Sequence, residues 1–176
     1  LTLMALLVRA MCVALKKFPI LNSTFDDEAG AIIYKEYVNM GIAVDTDRGL
    51  VVPSIRNADR LSVVGAGEAL VALANKARAN QFSIDDLRGG TFTITNVGPM
   101  GGTFATPIIN HPEVAILGLG RSRRMPVFGA GDVVKAATIL PVYISFDHRA
   151  IDGVTAAKFT REVVAMLEKP QLLLLY

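Results

Sequence analysis

The stretch Ser145-Phe146-Asp147-His148-Arg149-Ala150-Ile151-Asp152-Gly153 sets a histidine four residues ahead of an aspartate. A β-type pattern ends at Phe146 and a helical pattern opens near Gly153, so His148 falls on the bend between them. Such bends present side chains to clefts. Histidine changes charge nearest neutral pH, which suits general-base work on a thiol or hydroxyl. Asp152 would then hold the ring or the turn. The same spacing also fits a structural histidine beside a helix that Asp152 caps.

A second candidate is Gly90-Thr91-Phe92-Thr93-Ile94-Thr95-Asn96-Val97-Gly98, followed by Gly101-Gly102. Three threonines alternate along one strand face, and glycines follow where backbone must approach something closely. A hydroxyl at the end of that strand could donate to an oxyanion, though taken alone the motif reads first as β-propensity followed by a loop. Gly65-Ala66-Gly67-Glu68-Ala69-Leu70 opens like a dinucleotide fingerprint but has Leu70 at the third small position, so close helix packing is the reading adopted. His111, before Pro112, reads as a surface loop residue. Arg121, Arg123 and Arg124 read as a solvated basic turn that could also meet a phosphate. Cys12 lies in an apolar helical pattern as a buried thiol. Two histidines and one cysteine are too few for a zinc site, and no metal is expected.

These residues must be placed by a regular framework. Helical periodicity runs from Leu3 to Lys17 and stops before Pro19. Leu21 to Asp26 and Ala31 to Tyr37 read as a hairpin, and Met40 to Val44 with Leu50 to Ile55 as a second strand pair. A helix spans Leu61 to Ala79 with Ser62 as cap, and Ser83 to Leu87 is a short capped turn. Strands follow at Thr91 to Asn96, Val114 to Gly120 and Ala136 to Phe146, and a last helix at Gly153 to Glu168. This is one mixed α/β domain with a largely antiparallel or mixed sheet.

The 176 residues are 52% hydrophobic and 19% charged. That is rich for a soluble monomer, and subunit contacts are the expected cover. A membrane span is not expected, because the apolar stretches are short and interrupted by Lys or Arg. Net charge is +2 with 7% aromatics and no basic stripe, so no nucleic-acid partner is expected. A single cysteine suits a reducing compartment, the cytoplasm or a mitochondrial matrix. The first residues already read as helix, so an N-terminal piece of the domain is expected to be missing. The apolar end, Leu172 to Tyr176, is expected to pack on another subunit.

Taken together, the motifs resemble a known family. His148-Arg149 followed by Asp152-Gly153 is similar to the D-H-R-x-x-D-G signature of the dihydrolipoamide acyltransferase (E2) cores of 2-oxoacid dehydrogenase complexes. Phe18 to Asn22, Gly49 to Pro53, Gly89 to Gly98, Thr106 to Asn110 and Pro112 to Gly118 resemble the same family in the same order. The resemblance covers essentially the whole chain. It implies an α+β two-layer sandwich of the chloramphenicol acetyltransferase type that forms trimers.

It also implies a mechanism. His148 would be the base on the coenzyme A thiol, Thr95 would donate to the tetrahedral oxyanion, and Asp152 would support the histidine or its loop. Thr2, Asp45, Asn96 and Gly120 would contact coenzyme A. The acyl group would arrive on a lipoyl arm carried by an upstream domain, with branched-chain or acetyl groups favoured. His148 of one chain would face Thr95 of its neighbour. Trimers would assemble into cubic or dodecahedral particles of twenty-four, forty-two or sixty copies, meeting decarboxylase and dihydrolipoamide dehydrogenase components. A chloramphenicol-type acetyltransferase and a non-catalytic scaffold are the alternatives.

Overall fold

The computed structural model describes residues 2–47 and 49–175, with the side chains of Leu174 and Leu175 left aside. In chain order the elements are α1 (Leu3–Lys17), β1 (Ser23–Asp26), β2 (Ala31–Tyr34), β3 (Met40–Ile42), β4 (Val44–Thr46), β5 (Gly49–Val51), β6 (Ser54–Ile55), α2 (Val63–Arg78), β7 (Phe92–Asn96), β8 (Ala115–Leu119), β9 (Arg123–Phe128), β10 (Val134–Ile139), β11 (Val142–Phe146) and α3 (Gly153–Glu168). The main sheet has the order β11-β8-β7-β3-β6. Strands β3, β7 and β8 run parallel, and the two edge strands are antiparallel to their neighbours. The sheet is mixed, one of the two arrangements that the sequence left open.

The apolar residues of α1 are almost wholly buried, from Ala5 to Leu15. It is the central helix of the layer on one face of the sheet, with α2 and α3 beside it. Phe159 of α3 meets Phe92 of β7 at 5.8 Å between ring centroids and Phe18 edge-on at 6.0 Å. Alternation along the strands sends Phe92 and Ile94, Met40 and Ile42, and Ala115, Leu117 and Leu119 into this core. The other face carries Thr93, Thr95, Gly41, Ile116, Gly118, Tyr143 and Ser145, which lie opposite one another in register. The fold is a helix layer on a sheet whose second face is small and polar.

Caps account for the helix starts. Thr2 accepts from the Ala5 N–H at 3.3 Å and Ser62 from the Gly65 N–H at 3.1 Å. Ser83 and Asp86 exchange backbone bonds as a capping box at 2.9 and 3.1 Å. The Gly65 to Leu70 stretch sits in the first turns of α2, where Gly67 faces the Ala5 side chain of α1.

Three sequence expectations are corrected. Strands β4 and β5 form the hairpin of the second pair, while β3 pairs separately with β6. The run from Ala136 to Phe146 is two strands broken at Leu140-Pro141, because proline lacks the N–H that a continuous ladder needs. Arg123 and Arg124 open β9 and pair with Ile139 and Thr138, so two of the three arginines of the basic cluster are strand, not turn. At the chain end, Leu173 is buried in this chain's own core. Tyr176 lies outside the described residues. No helix among the described residues is long and apolar enough to cross a membrane.

Candidate active site

Strand β11 ends at Phe146, and residues 147–152 turn the chain into α3. His148 stands exposed on that turn, its ring 5.6 Å from the Phe146 ring. The turn is held from several sides. The Asp147 N–H donates to Val114 O at 2.8 Å, the Ala150 and Ile151 N–H groups donate to Asp147 O, and Ile151 is buried. Asp152 is the N-cap of α3. One carboxylate oxygen accepts from the Thr155 N–H at 2.8 Å and the other from the Thr155 hydroxyl at 2.9 Å. Those two bonds hold its carboxyl below the usual carboxylate range. Asp152 thus supports the loop through the helix start, with its oxygens turned to Thr155.

Thr95 lies half-buried near the end of β7, on the polar face of the sheet. Across β8 it faces Gly118, and beyond that Tyr143. A Cβ at Gly118 would sit 1.9 Å from Tyr143 Cε2, so only glycine lets the Tyr143 ring lie flat beside Thr95. Phe104 meets the same ring at 6.1 Å. The Tyr143 and Phe104 rings thus wall the sheet face next to the Gly118 partner of Thr95.

His148 and Thr95 do not converge within one chain. Tyr143 is the strand partner two ladders away from Thr95, and Phe146 is three residues further along. That separates them by about 10 Å along the strands and two spacings of about 4.8 Å across them. His148 lies beyond Phe146, at the opposite end of the sheet, with its ring against that of Phe146.

The remaining predicted contacts gather at Thr95's end. Asn96 and Gly120 line one pocket of about 340 Å³ with Leu3, Gly98 and Arg121. Asn96 Oδ1 accepts from the Gly98 N–H at 3.0 Å. Gly120 is required by close approach: a Cβ would lie 1.9 Å from Thr103 O, where the glycine-rich loop folds back over β8. Thr2 is adjacent in sequence to Leu3, and lines a neighbouring groove of about 730 Å³ against Val64, Gly67 and Val71 of α2. Asp45 is exposed on β4, just past the same end of β3. The three parallel strands thus end on one edge with these candidates around it, and His148 on the other.

Sequence reasoning missed Glu113. It is buried, and its Oε1 accepts from Asn110 Nδ2 at 3.2 Å. Its Oε2 and the Thr93 hydroxyl are both buried without a hydrogen-bond partner of ordinary geometry, although Thr93 lies near enough to favour the ionised acid somewhat. Burial dominates and pushes the carboxyl up from 4.5 to about 7, against the pull of Thr93 and Asn110. The only sequence signal was its place just before the wholly buried run of β8.

A carboxyl raised in the folded state favours folding fully below its unfolded value, and that contribution is lost as pH rises through about 7. The shift corresponds to about 3 kcal/mol. Glu113→Gln removes the titration, so the Tm advantage of the variant over the parent should grow from about pH 5 to about pH 8. A Tm difference independent of pH would show that the carboxylate ionises without cost.

The other singled-out residues take quieter places. Cys12 is buried, and desolvation with the Asp59 charge pushes its thiol up to about 12. His111 is exposed in the loop before β8. Among the described residues no three His, Cys, Asp or Glu side chains gather as metal ligands would.

Residues 1–175 match the family described as 2-oxoacid dehydrogenases acyltransferase (catalytic domain), and the chain belongs to that family. It is 47% identical over 175 residues to the dihydrolipoyllysine-residue acetyltransferase component of the pyruvate dehydrogenase complex of Staphylococcus aureus, covering 99% of this chain. It spans only 40% of that relative's length. Among solved structures, the dihydrolipoamide acetyltransferase of Azotobacter vinelandii superposes with a TM-score of 0.93 at 40% identity, over 99% of this chain and 71% of that one. Work on that enzyme concerns the catalytic roles of a serine, a histidine and an asparagine four residues after the histidine. The cubic core of a pyruvate dehydrogenase multienzyme complex matches with a TM-score of 0.92 at 42% identity, over 99% of this chain and 71% of that one. A chloramphenicol acetyltransferase shares the fold, with a TM-score of 0.62 at 14% identity over 93% of this chain and 77% of that one.

Proposed function

We propose that this chain is the acyl-transfer core of a dihydrolipoyllysine-residue acetyltransferase, exchanging an acetyl group between coenzyme A and a dihydrolipoyl thiol. The observation that carries the reading is His148, exposed on a braced strand-to-helix bend in a chain of the acyltransferase family. Acetyl is favoured over a branched-chain group because the relatives named above are acetyltransferases of pyruvate dehydrogenase complexes.

His148 takes the proton from the coenzyme A thiol, and the resulting thiolate attacks the carbonyl carbon of the acetyl-lipoyl thioester. Thr95 donates its hydroxyl hydrogen to the oxyanion of the tetrahedral intermediate. As the intermediate collapses, the carbon–sulfur bond to the lipoyl arm breaks and His148 returns its proton to the departing sulfur. Asp152 keeps the bend in place by capping α3. An asparagine caps a helix equally well, so the asparagine of the Azotobacter enzyme is compatible with that role here. Asn96, Gly120, Thr2 and Asp45 border the end of the sheet at which coenzyme A would enter.

Because His148 and Thr95 lie at opposite ends of one sheet, the site is formed between two copies, as in a cyclic trimer. The exposed Met100, Phe104, Ile108 and Phe128 provide apolar surface for such contacts. Trimers joined into a larger core, with a lipoyl domain upstream and decarboxylase and dihydrolipoamide dehydrogenase as partners, complete the reading.

The test is acetyl transfer from acetyl-coenzyme A by the assembled full-length protein. Dihydrolipoamide is expected to be the acceptor. Transfer to chloramphenicol instead would make it an antibiotic acetyltransferase, and transfer to neither would leave a structural scaffold.

A further inference from the structure

Both sequence neighbours of His148 are anchored, and the outer anchor reaches a distant part of the chain. Arg149 bonds Asp147 through its backbone N–H at 3.0 Å, through Nε at 3.0 and 3.1 Å and through Nη2 at 2.7 Å. That clamp is local and travels with the turn. The same guanidinium pairs through Nη1 with Asp27, 122 positions away in sequence, and lies 4.5 Å over the Phe25 ring. Asp27 and Phe25 belong to the β1–β2 hairpin, which touches the bend by no motif visible in the sequence. Its turn is itself held, since Asp26 Oδ1 accepts from the N–H groups of Glu28 and Ala29, each at 3.0 Å. A rigid turn therefore presents Asp27 to Arg149, the residue that directly follows His148.

We propose that Asp27 is a positioning residue for the acyl-transfer reaction, acting through Arg149 to aim His148 from the β1–β2 hairpin. The inference rests on the function proposed above. Two features separate aim from mere stability. The Asp27–Arg149 pair is exposed on both sides, with side chains 63% and 55% accessible, and such pairs add little to folding. A base displaced by a fraction of an ångström to an ångström, in contrast, loses much of its rate.

The experiment uses the assembled full-length protein with Asp27→Asn, Asp27→Glu and, as controls, the parent and His148→Ala. Asp27→Asn should lower kcat by about tenfold or more while KM for either substrate stays within about twofold and Tm is nearly unchanged. Asp27→Glu, which keeps the charge, should recover part of the loss. The His148 ring resonances should shift in Asp27→Asn, an effect independent of turnover. An active parent with an unaltered Asp27→Asn variant would overturn the positioning role. A fall in kcat matched by loss of assembly, with no recovery in Asp27→Glu, would also overturn it and make the pair structural. An inactive parent would instead refute the function beneath it, and the ring shift alone would then still report whether Asp27 sets the histidine.

Discussion

Replacement of His148 by alanine is expected to slow acetyl transfer by about two to four orders of magnitude, the usual share of a positioned general base. The side chain is exposed and its bend is braced by Asp147, Ile151 and the α3 cap without its help. Folding stability should therefore move by no more than about 0.5 kcal/mol. Steady-state rates with acetyl-coenzyme A and dihydrolipoamide, alongside Tm and particle size, check both halves of the expectation. Loss of activity without loss of structure is the signature of a chemical role. Undiminished turnover would leave the structural-histidine reading standing.

The second large effect is expected at Thr95. Valine matches its shape and suits a half-buried strand, so the β7 ladder should survive. Only the hydroxyl is removed. Loss of one oxyanion donor costs about 10²–10³ in kcat, or about 2.7–4 kcal/mol of transition-state stabilisation. Thr95→Ser keeps a donor at the same place and should retain most of the rate. If valine and serine variants behaved alike, the hydroxyl would have no part in the reaction and Thr95 would be a wall residue beside Tyr143.

Much of this was legible because local signals and tertiary packing agree. Helix ends at Lys17 and Glu168, and to within one residue the end at Arg78, followed from Pro19 and from apolar periodicity, each set by near-neighbour chemistry. The threonine alternation of β7 was readable for the same reason, since strand period alone assigns Thr91, Thr93 and Thr95 to one face. His148 was found from its spacing to Asp152 and from the change of period around it. The split at Leu140-Pro141 and the strand character of Arg123 and Arg124 were missed. There hairpin pairing across residues 123–139 overrides a basic composition that reads as loop.

Long-range contacts left less trace. Asp27 is an unremarkable turn residue until the fold brings it to Arg149, and Glu113 is an ordinary loop acid until β7 and Gly90 close over it. The resemblance to the acyltransferase family supplied the division of labour between His148 and Thr95. The strand register adds that, on one sheet, the two lie too far apart to share a carbonyl.

A site divided between two copies is tested by complementation between two inactive proteins. His148→Ala retains Thr95, and Thr95→Val retains His148. Co-expressed in equal amounts and assembled at random, they should give sites with both intact groups about one time in four, because each group comes from a different copy. Activity near a quarter of the parent rate is expected, far above either variant alone. A co-assembled mixture no more active than its components would contradict a site shared between chains.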